Sequence, residues 1–358
     1  MKKTTSAAWQ SPSNIAIVKY WGKHGQQYPR NASISLTLSQ AATTTQISAV
    51  PADRLTVSYL YQGQEKPEFA GRVERILQQW SEKELPGLRS QHLKINSYNS
   101  FPHSSGIASS ASFMSSLALG ISDVLSPGGL STDDAAAMQR VSYLSRLGSG
   151  SACRSIYPSV AMWGEHAAYS GSSDDYAIAW GDVHAVFETY HDDILIVSSA
   201  EKAVSSSAGH ALMEGHPYAA IRYEQAAVHM QWMQEILRAG DIEAFGEIME
   251  NEALTLHGLM MNSPSSYVLL EPNTLAIISE IRSFRKENQI PVYFTLDAGP
   301  NIHMLYPHTE ETRVSEWREE VLRPLYQFAI RDRVGLGAKK LSENEASQIL
   351  RPDVLPTS

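Results

Sequence analysis

Cysteine is almost absent from this sequence, because Cys153 is the single cysteine among 358 residues. A lone cysteine excludes an intrachain disulfide and any zinc site built from several cysteines, and it is typical of a reducing compartment. Long apolar runs are also missing near the start, where the stretch 15–18 is followed at once by Lys19. That stretch is too short for a signal-peptide core or a membrane span. We therefore expect a cytoplasmic protein with no membrane partner.

An excess of positive charge is lacking as well. The chain carries 29 Lys and Arg against 38 Asp and Glu, which gives a formal net charge of −9. This balance argues against nucleic acid as the main partner, and it leaves room for a local basic pocket that binds a small anion. Apolar residues make up 43% and charged residues 19% of the chain, as in ordinary globular proteins. A chain of this length is expected to form about two domains.

The hydrophobic patterns predict an α+β protein. Strands are predicted from short apolar stretches, at residues 15–18, 33–38, 44–50, 55–61, 92–95, 183–189, 194–197 and 291–296. Helices are predicted from three- and four-residue spacing, at residues 72–80, 107–125 and 131–147, around 221–236, and from 272 onward. Strands followed by helices in each half of the chain favour two α+β domains over a doubly wound sheet. The boundary between the two domains is expected near residues 188–193.

Two further expectations concern the second half of the chain. In the helix around 221–236, the predicted buried face consists of four apolar residues: Ile221, Val228, Trp232 and Ile236. The polar segment after Gly337 is expected to be frayed, as terminal segments often are.

A serine- and glycine-rich loop leads straight into the helix predicted from residue 107. It spans residues 99–110, and Ser109 and Ser110 lie at the start of the helix. Small residues let the backbone approach a ligand closely, and the free N–H groups and dipole of a helix start favour a phosphate. A plain serine-rich helix cap is the alternative. The loop is not a Walker A motif, because no Gly-Lys-Ser/Thr closes it.

A second glycine- and serine-rich segment spans residues 148–154 and reads GSGSACR. Cys153 stands where a dinucleotide-binding fingerprint needs its third glycine, and no strand precedes the segment, so that interpretation is excluded. Ser149, Ser151 and Arg154 would grip a carboxylate or a diphosphate, because a guanidinium presents a planar, permanently charged fork. A surface loop with a solvated arginine is the alternative.

Lys19 follows directly on the apolar stretch 15–18. A buried ammonium needs a partner, and the natural candidate is Asp297, which begins a sharp turn after the strand predicted at 291–296. A lysine that reaches solvent from the end of the strand is the alternative. The twelve histidines show no metal-ligand spacing, since there is no His-Glu-x-x-His motif, and we interpret them as surface or core residues.

Four segments together resemble one protein family. They are residues 14–23, 102–110, 148–155 and 297–301, and their order and spacing are similar to those of the diphosphomevalonate decarboxylases of the GHMP kinase superfamily. The resemblance covers roughly residues 10–305. The strings KYWGK, from Lys19, and GSGSACR, from Gly148, are specific to decarboxylases, whereas the 102–110 loop is shared with the whole superfamily and identifies only a nucleotide site.

The resemblance implies a two-domain GHMP fold. Residues 1–190 would form an ATP-binding domain that is similar to domain 2 of ribosomal protein S5, residues 191–340 a ferredoxin-like C-terminal domain, and residues 341–358 a polar tail. The active site would lie in the cleft between the domains. The resemblance also implies a homodimer.

The implied reaction is the ATP-dependent decarboxylation of mevalonate 5-diphosphate to isopentenyl diphosphate. The 3-hydroxyl would be phosphorylated first, with Mg²⁺ bound beside ATP. The catalytic positions of the family fall on Asp297, Lys19 and Arg154. The positions that bind the substrate fall on Asn14, Tyr20, Lys23, Arg72, Ser149, Ser151, Arg154 and Ser207. The positions that bind ATP fall on Ser97, Asn99, Ser104, Ser105, Gly106, Ser109 and Ser110, and Ser110 is also the position nearest Mg²⁺.

The sequence departs from the family pattern at several positions. His24-Gly25 replaces the usual Arg-Asp, and Ala208-Gly209-His210 follows Ser207 in place of the usual Gly-Met. The second departure lies near the diphosphate end of the implied site and leaves a decarboxylase of the monophosphate as an alternative. A mevalonate 3-kinase that phosphorylates without decarboxylation, and a ligand sensor without catalysis, are further alternatives. The kinase is disfavoured because Lys19 and Asp297 are present, and the sensor because Asp297 and the serines of the 102–110 loop are present.

Overall fold

The computed structural model describes residues 4–102, 107–200 and 206–350. The strands are β1 Thr5–Val18, β2 Lys23–His24, β3 Tyr28–Pro29, β4 Ser33–Pro51, β5 Thr56–Tyr61, β6 Gln64–Glu65, β7 Gln91–Asn99, β8 Val160–Trp163, β9 Ala177–Ala179, β10 His191–Ile196, β11 Tyr293–Thr295, β12 Ile302–Tyr306, β13 Phe328–Arg333 and β14 Lys339–Leu341. The helices are α1 Pro67–Lys83, α2 Ser109–Leu125, α3 Ala135–Gly148, α4 Ala185–Glu188, α5 Ser206–Ala211, α6 Ala219–Ala239, α7 Ile242–Met261, α8 Pro272–Asn288, α9 Glu311–Trp317 and α10 Glu343–Ile349. Short 3-10 turns span Pro86–Ser90, Gly150–Arg154, His308–Glu310 and Arg323–Leu325, and a π-helical turn spans Arg318–Leu322.

The larger sheet is built from the first half of the chain. Its strands lie in the order β14-β1-β4-β7-β5-β6, and β8 pairs with β4 and with β9. β1 and β4 are antiparallel along most of their length, and α2 packs against both. Apolar side chains from the sheet, α1, α2 and α3 form one core beneath it. This packing brings the end of β1, the start of α2 and the turn at 150–154 to the same edge of the molecule.

Two of the predicted strands, 33–38 and 44–50, are one continuous strand, β4. The polar residues between them read as a turn in the sequence. In the structure the carboxylate of Asp332 accepts hydrogen bonds from the backbone N–H groups of Ser39, Gln40 and Ala41. A carboxylate from 291 or more residues away therefore satisfies a stretch of backbone that local sequence cannot explain.

A smaller sheet, in the order β11-β12-β10-β13, is antiparallel throughout and packs against α7 and α8. The strand predicted at 183–189 is wrong, because this segment forms the short helix α4, whose first turn is capped by the side chain of His184. The strand predicted at 194–197 is present as part of β10. Both sheets contribute to a shared core with α6 and α7.

The helix α6 is present where it was predicted, but most of its predicted buried face is exposed. Ile236 is buried as predicted, whereas the exposed fractions of Ile221, Val228 and Trp232 are 65%, 40% and 55%. The buried face instead includes Arg222 and His229, alongside methionines. Both residues pair with Glu252 of α7, so a buried polar network reverses the face that hydrophobicity alone indicates.

Residues 338–350 are ordered, contrary to the expectation of a frayed tail. β14 pairs with β1, and α10 begins with a capping box formed by Ser342 and Glu345. Ala346 is completely buried against Ala8. Leu341 and Leu350 are buried in the same small cluster, so a few apolar residues dock this segment although most of its residues are polar. Among the described helices, none combines the length and apolarity needed to cross a bilayer.

Candidate active site

Lys19 and Asp297 form an ion pair where the two sheets meet. Lys19 follows the last residue of β1, and Asp297 lies in the turn after β11. The Lys19 Nζ atom lies 3.1 Å from Asp297 Oδ1 and donates a second hydrogen bond to the carbonyl of Ala16 at 3.0 Å. The lysine side chain is 3% exposed and the aspartate side chain 29% exposed. The predicted contact is therefore present, and the carboxylate keeps access to a ligand.

A buried network that the sequence analysis missed holds Lys19 in place. Glu252 accepts a hydrogen bond from the Lys19 backbone N–H at 2.8 Å, and Arg222 donates to the Lys19 carbonyl at 2.6 Å. Glu252 also pairs with Arg222 at 2.6 Å and with His229 at 2.6 Å. Burial alone would raise the pKa of Glu252, but Arg222 and these hydrogen bonds lower it to about 2. The carboxylate is thus charged at neutral pH and fixes the backbone beneath the Lys19–Asp297 pair.

His257 of α7 positions the other partner. Its Nε2–H donates to the backbone carbonyl of Asp297 at 3.1 Å. Burial lowers the pKa of His257 to about 4, so this ring is a neutral donor at physiological pH. No local motif marks Glu252 or His257 in the sequence, because both act through contacts between distant segments.

Arg154 is a fully buried cation. Its Nε and Nη2 donate to Asn14 Oδ1 at 3.3 and 3.1 Å, and its Nη1 donates to the hydroxyl of Ser33. The guanidinium also lies 5.7 Å from the ring centroid of Tyr20. Burial lowers the pKa of Arg154. Within the described residues no carboxylate forms a salt bridge with it, and a buried cation of this kind favours an anionic ligand.

These groups surround one cavity of about 130 Å³. All ten of the predicted substrate-binding and catalytic residues line it: Asn14, Lys19, Tyr20, Lys23, Arg72, Ser149, Ser151, Arg154, Ser207 and Asp297. Ser110 lines it as well. Burial lowers the pKa of Lys23 to about 8, and its Nζ donates to Gln27 at 2.8 Å. Four cationic side chains against one carboxylate make this lining basic, in a chain whose net charge is negative.

His210 is a lining residue to which the sequence analysis assigned no role. Its ring centroid lies 4.6 Å from the ring centroids of both Tyr20 and Trp21. Its Nδ1 accepts a hydrogen bond from the backbone N–H of Gly22 at 3.1 Å. Burial, together with the charge of Lys23, holds the pKa of His210 well below its usual range. The ring is therefore neutral and carries its proton on Nε2. The only signal in the sequence was its departure from the family pattern after Ser207.

The predicted nucleotide residues divide into three groups. Asn99, Ser109 and Ser110 line a second, smaller cavity of about 50 Å³, whose walls include Tyr59, Tyr61, Phe69 and Phe113. Ser104, Ser105 and Gly106 lie outside the described residues. Ser97 is completely buried, lies 3.3 Å from the hydroxyl of Thr45, and is absent from the linings of these two cavities as far as the structure describes them. Its place in the nucleotide site therefore stays a prediction.

The start of α2 has the features of an anion site. Ala108, just before the helix, has the left-handed backbone angle φ = 44°, and its side chain provides no cap. The first N–H groups of a 17-residue helix thus remain without a side-chain cap. The Ser110 hydroxyl lies 3.4 Å from that of Ser149, which joins this helix start to the basic cavity.

Comparisons with known proteins identify the family of this chain. Residues 11–177 match the model of the diphosphomevalonate decarboxylase-like N-terminal domain, and residues 193–348 match that of the mevalonate 5-diphosphate decarboxylase C-terminal domain. The diphosphomevalonate decarboxylase of Eremothecium gossypii is 30% identical over 325 residues, which cover 86% of this chain and 79% of that protein. The phosphomevalonate decarboxylase of Haloferax volcanii is 28% identical over 312 residues, which cover 85% and 88%.

A solved structure of a protein designated MDDEF, in complex with MVAPP, AMPPCP and magnesium, superposes with a TM-score of 0.81. It is 26% identical and covers 95% of this chain and 100% of its own. The two-domain α+β fold predicted from the sequence is therefore confirmed. The family models together span most of the chain, in the expected order. The chain belongs to the diphosphomevalonate decarboxylase family.

Proposed function

We propose that this protein catalyses the ATP-dependent decarboxylation of mevalonate 5-diphosphate, with Mg²⁺, to give isopentenyl diphosphate, ADP, phosphate and CO₂. One observation carries the proposal: among the described residues, a cavity lined by Lys19, Lys23, Arg72 and Arg154 has a single carboxylate in its lining, that of Asp297. Such a lining suits a substrate that carries a diphosphate at one end and a carboxylate at the other. Membership of the family supplies the reaction class.

The reaction requires two bond-making stages. The oxygen of the tertiary 3-hydroxyl attacks the γ-phosphorus of ATP, its proton leaves, and ADP is released. The C3–O bond then breaks with departure of phosphate. The electron pair of the C1–C2 bond becomes the C2=C3 double bond as CO₂ is expelled. The protein has to orient the hydroxyl, receive its proton, and fix the carboxylate for departure.

Asp297 and Lys19 serve the first stage. The Asp297 carboxylate is partly exposed to the cavity and accepts the hydroxyl proton, or orients the hydroxyl for attack. The ammonium of Lys19 lies 3.1 Å away and neutralises charge around the carboxylate and the incoming phosphoryl group. His257 keeps the turn that carries Asp297 in position through its backbone carbonyl.

Arg154 serves the second stage by holding the C1 carboxylate or the neighbouring phosphate. Its guanidinium is anchored by Asn14 and Ser33, both neutral, so its charge is left for the ligand. Ser149 and Ser151 flank it on the cavity wall and offer hydroxyls toward the diphosphate. A dry, charged cavity strengthens each of these interactions.

ATP binds at the start of α2. The free N–H groups there and the hydroxyls of Ser109 and Ser110 would hold the phosphates, and the aromatic cavity lined by Tyr59 and Phe113 would take the base. Mg²⁺ bound to the nucleotide neutralises charge on the phosphates when present. The related structure that contains AMPPCP, an ATP analogue, and magnesium supports this use of ATP and Mg²⁺.

A decarboxylase of the monophosphate is the second candidate. Two observations favour it: the similar phosphomevalonate decarboxylase of H. volcanii, and His210 at the cavity wall beside Lys23. The neutral His210 ring takes up space and offers one Nε2–H donor, whereas a diphosphate presents a larger and more highly charged group. We favour the diphosphate, because the family models and relatives such as that of E. gossypii are named as decarboxylases of the diphosphate.

One experiment separates the candidates. The protein is incubated with Mg·ATP and mevalonate, its 5-phosphate or its 5-diphosphate, while CO₂, inorganic phosphate and ADP are measured. The proposal expects all three products from the 5-diphosphate, at a kcat/KM at least tenfold above that for the 5-phosphate. A preference for the 5-phosphate would establish the second candidate. ADP formation without CO₂ would reveal a kinase and refute both.

Three further expectations from the family belong to the proposal. The protein would act as a homodimer, which light scattering of the purified chain would test, and in the cytoplasm, which cell fractionation would test. Its domains would span residues 1–190 and 191–340.

The last strand bears on these domain bounds. Residues 339–341 form β14, which pairs with β1 of the larger sheet, so the chain would return to the first domain near its end.

A further inference from the structure

Three potential metal ligands meet at the end of the smaller sheet opposite the active site. His191 is the first residue of β10, His308 follows β12, and Glu311 begins α9. The turn that carries Asp297 lies at the other end of β12, about 15 Å away by the length of that strand. This cluster is therefore separate from the nucleotide and substrate cavities.

The three donor atoms form a compact triangle. His191 Nε2 lies 2.9 Å from His308 Nδ1, His308 Nδ1 lies 3.4 Å from Glu311 Oε2, and Glu311 Oε2 lies 3.8 Å from His191 Nε2. A point equidistant from these three atoms lies about 2.0 Å from each. Zinc bonds to imidazole nitrogen at about 2.0–2.1 Å and to carboxylate oxygen at about 2.0–2.2 Å. A metal ion at this point would have bond lengths typical of zinc, and its bonds would replace the hydrogen bond that joins the two imidazoles.

The packing fixes the least exposed ligand. The side chain of His191 is 9% exposed and stacks on Tyr306, with ring centroids 5.1 Å apart and an interplanar angle of 9°. The Tyr306 hydroxyl is itself fixed, because it donates to Asp193 at 2.9 Å. The His308 ring stacks on the His191 ring at an interplanar angle of 7°. The imidazole orientations are therefore set before any ion binds, which lowers the cost of ordering the ligands.

The charges around the cluster are mixed. Arg333 lies opposite His191 in the β10–β13 register and opposes a cation, while the carboxylate of Glu311 attracts one. These opposing charges favour an ion that bonds strongly to nitrogen over a hard ion held by charge alone.

We propose that His191, His308 and Glu311 form a binding site for a divalent transition-metal ion, of which Zn²⁺ is the best fit. Two imidazole nitrogens and one carboxylate oxygen suit zinc, nickel or copper, whereas Mg²⁺ prefers oxygen ligands in octahedral geometry. His308 and Glu311 are more than half exposed, so solvent supplies water for the remaining coordination positions. The bound ion would tie the first residue of β10 to the start of α9 and so stabilise the C-terminal domain.

The site was not predicted from the sequence, because its spacing is uninformative. His308 and Glu311 are three residues apart on one turn, but His191 lies 117 positions earlier. The antiparallel pairing of β10 with β12 brings the third ligand to the other two.

The test uses tag-free, full-length protein that has been treated with a chelator. Calorimetric titration with ZnCl₂ should show one site per chain, and Co²⁺ should give the visible absorption of a tetrahedral or five-coordinate complex. His308→Ala and Glu311→Gln should each weaken Zn²⁺ binding by more than about tenfold. Both side chains are exposed, so these variants are expected to fold. His92→Ala and Glu316→Gln are matched controls, and they should bind Zn²⁺ like the parent.

Thermal unfolding provides a second measurement. Zn²⁺ should raise the Tm of the parent and of both controls but leave the Tm of His308→Ala unchanged. Decarboxylation with Mg·ATP should be the same in all variants without Zn²⁺, because the cluster lies away from the active site. Zn²⁺ binding of parental strength in both His308→Ala and Glu311→Gln, or the absence of a bound ion in the parent, would overturn the proposal. Neither result depends on whether the chain is a decarboxylase.

Discussion

Lys19 Nζ lies 3.1 Å from Asp297 Oδ1, although the two residues are 278 positions apart in the chain. One comes from the end of β1 in the larger sheet and the other from the turn after β11 in the smaller sheet. The pair is therefore formed only when both sheets are packed together. Its lysine is buried and its carboxylate is accessible, which is the arrangement a catalytic carboxylate needs.

Asp297→Asn should lower kcat by about 10²- to 10⁴-fold while leaving ATP binding near the parental level. The amide keeps the size of the side chain but loses its charge and its ability to accept a proton. We would measure CO₂ release, and binding of a fluorescent ATP analogue, on the same preparation. Asp53→Asn, on an exposed surface, is the control. A kcat within a few-fold of the parent would remove Asp297 from the mechanism.

Lys19→Met should also reduce kcat far more than it weakens nucleotide binding. The methionine fills the buried space but removes the ammonium that lies beside the carboxylate. Because the backbone of Lys19 is held by Glu252 and Arg222, the segment should keep its position, and circular dichroism should match the parent. Activity close to that of the parent would mean that the ion pair is structural only.

Arg154→Lys should be nearly as damaging as Arg154→Met in CO₂ release. A single ammonium cannot bind Asn14 and Ser33 and still present a planar fork to the substrate. The loss should appear in kcat as well as in KM, because a misplaced carboxylate also misaligns the bond that breaks. Both variants should still bind the ATP analogue. If Arg154→Lys decarboxylates at the parental rate, the role assigned to this guanidinium is wrong.

The KM for the phosphorylated substrate should rise as the pH increases through about 8. Burial lowers the pKa of Lys23 to about 8, so the side chain is a cation below this pH and neutral above it. An anionic substrate binds the charged form, and the loss of one charged hydrogen bond is expected to raise KM about tenfold. Lys23→Met should have the high KM at pH 7 and lack this pH dependence. Lys94→Met, an exposed control, should retain it.

Glu252→Gln should lower the free energy of unfolding by about 3 kcal/mol at pH 7, because it leaves Arg222 buried without its charged partner. The pKa of Glu252 is lowered in the folded protein to about 2, below its ordinary value of 4.5. Its contribution to stability is therefore present above pH 4.5 and is lost as the pH falls from 4.5 toward 2.

Urea unfolding of the parent and of Glu252→Gln, at pH 7 and at pH 3, measures this effect. The difference in unfolding free energy between the two proteins should shrink at pH 3. A constant difference would show that Glu252 is uncharged in the folded state or that its partners do not depend on its charge.

Much of the candidate site could be predicted from short strings of sequence. The segments around Lys19 and Arg154 and the turn at Asp297 have compositions that local chemistry can interpret, because glycine, serine and charged residues at strand and helix ends are seldom needed for a core. The helix α2 and its serine-rich start were predicted for the same reason. The secondary structure and the buried faces were predicted less well where a polar residue is buried against a partner that is distant in the chain. The buried face of α6 and the continuous strand β4 are examples.

The sequence by itself determined which residues carry charge and hydroxyls at the ends of β1, at the start of α2 and in the turn at 150–154. Hydrophobic periodicity and turn-forming residues act over a few positions in the sequence, so these features can be predicted without a structure. Only the tertiary structure decided that Glu252 and His257 support the Lys19–Asp297 pair, that His210 forms part of the cavity wall, and that His191 meets His308 and Glu311. Each of these contacts joins residues far apart in the chain, and their geometry follows from the packing of whole sheets and helices, which no local pattern encodes.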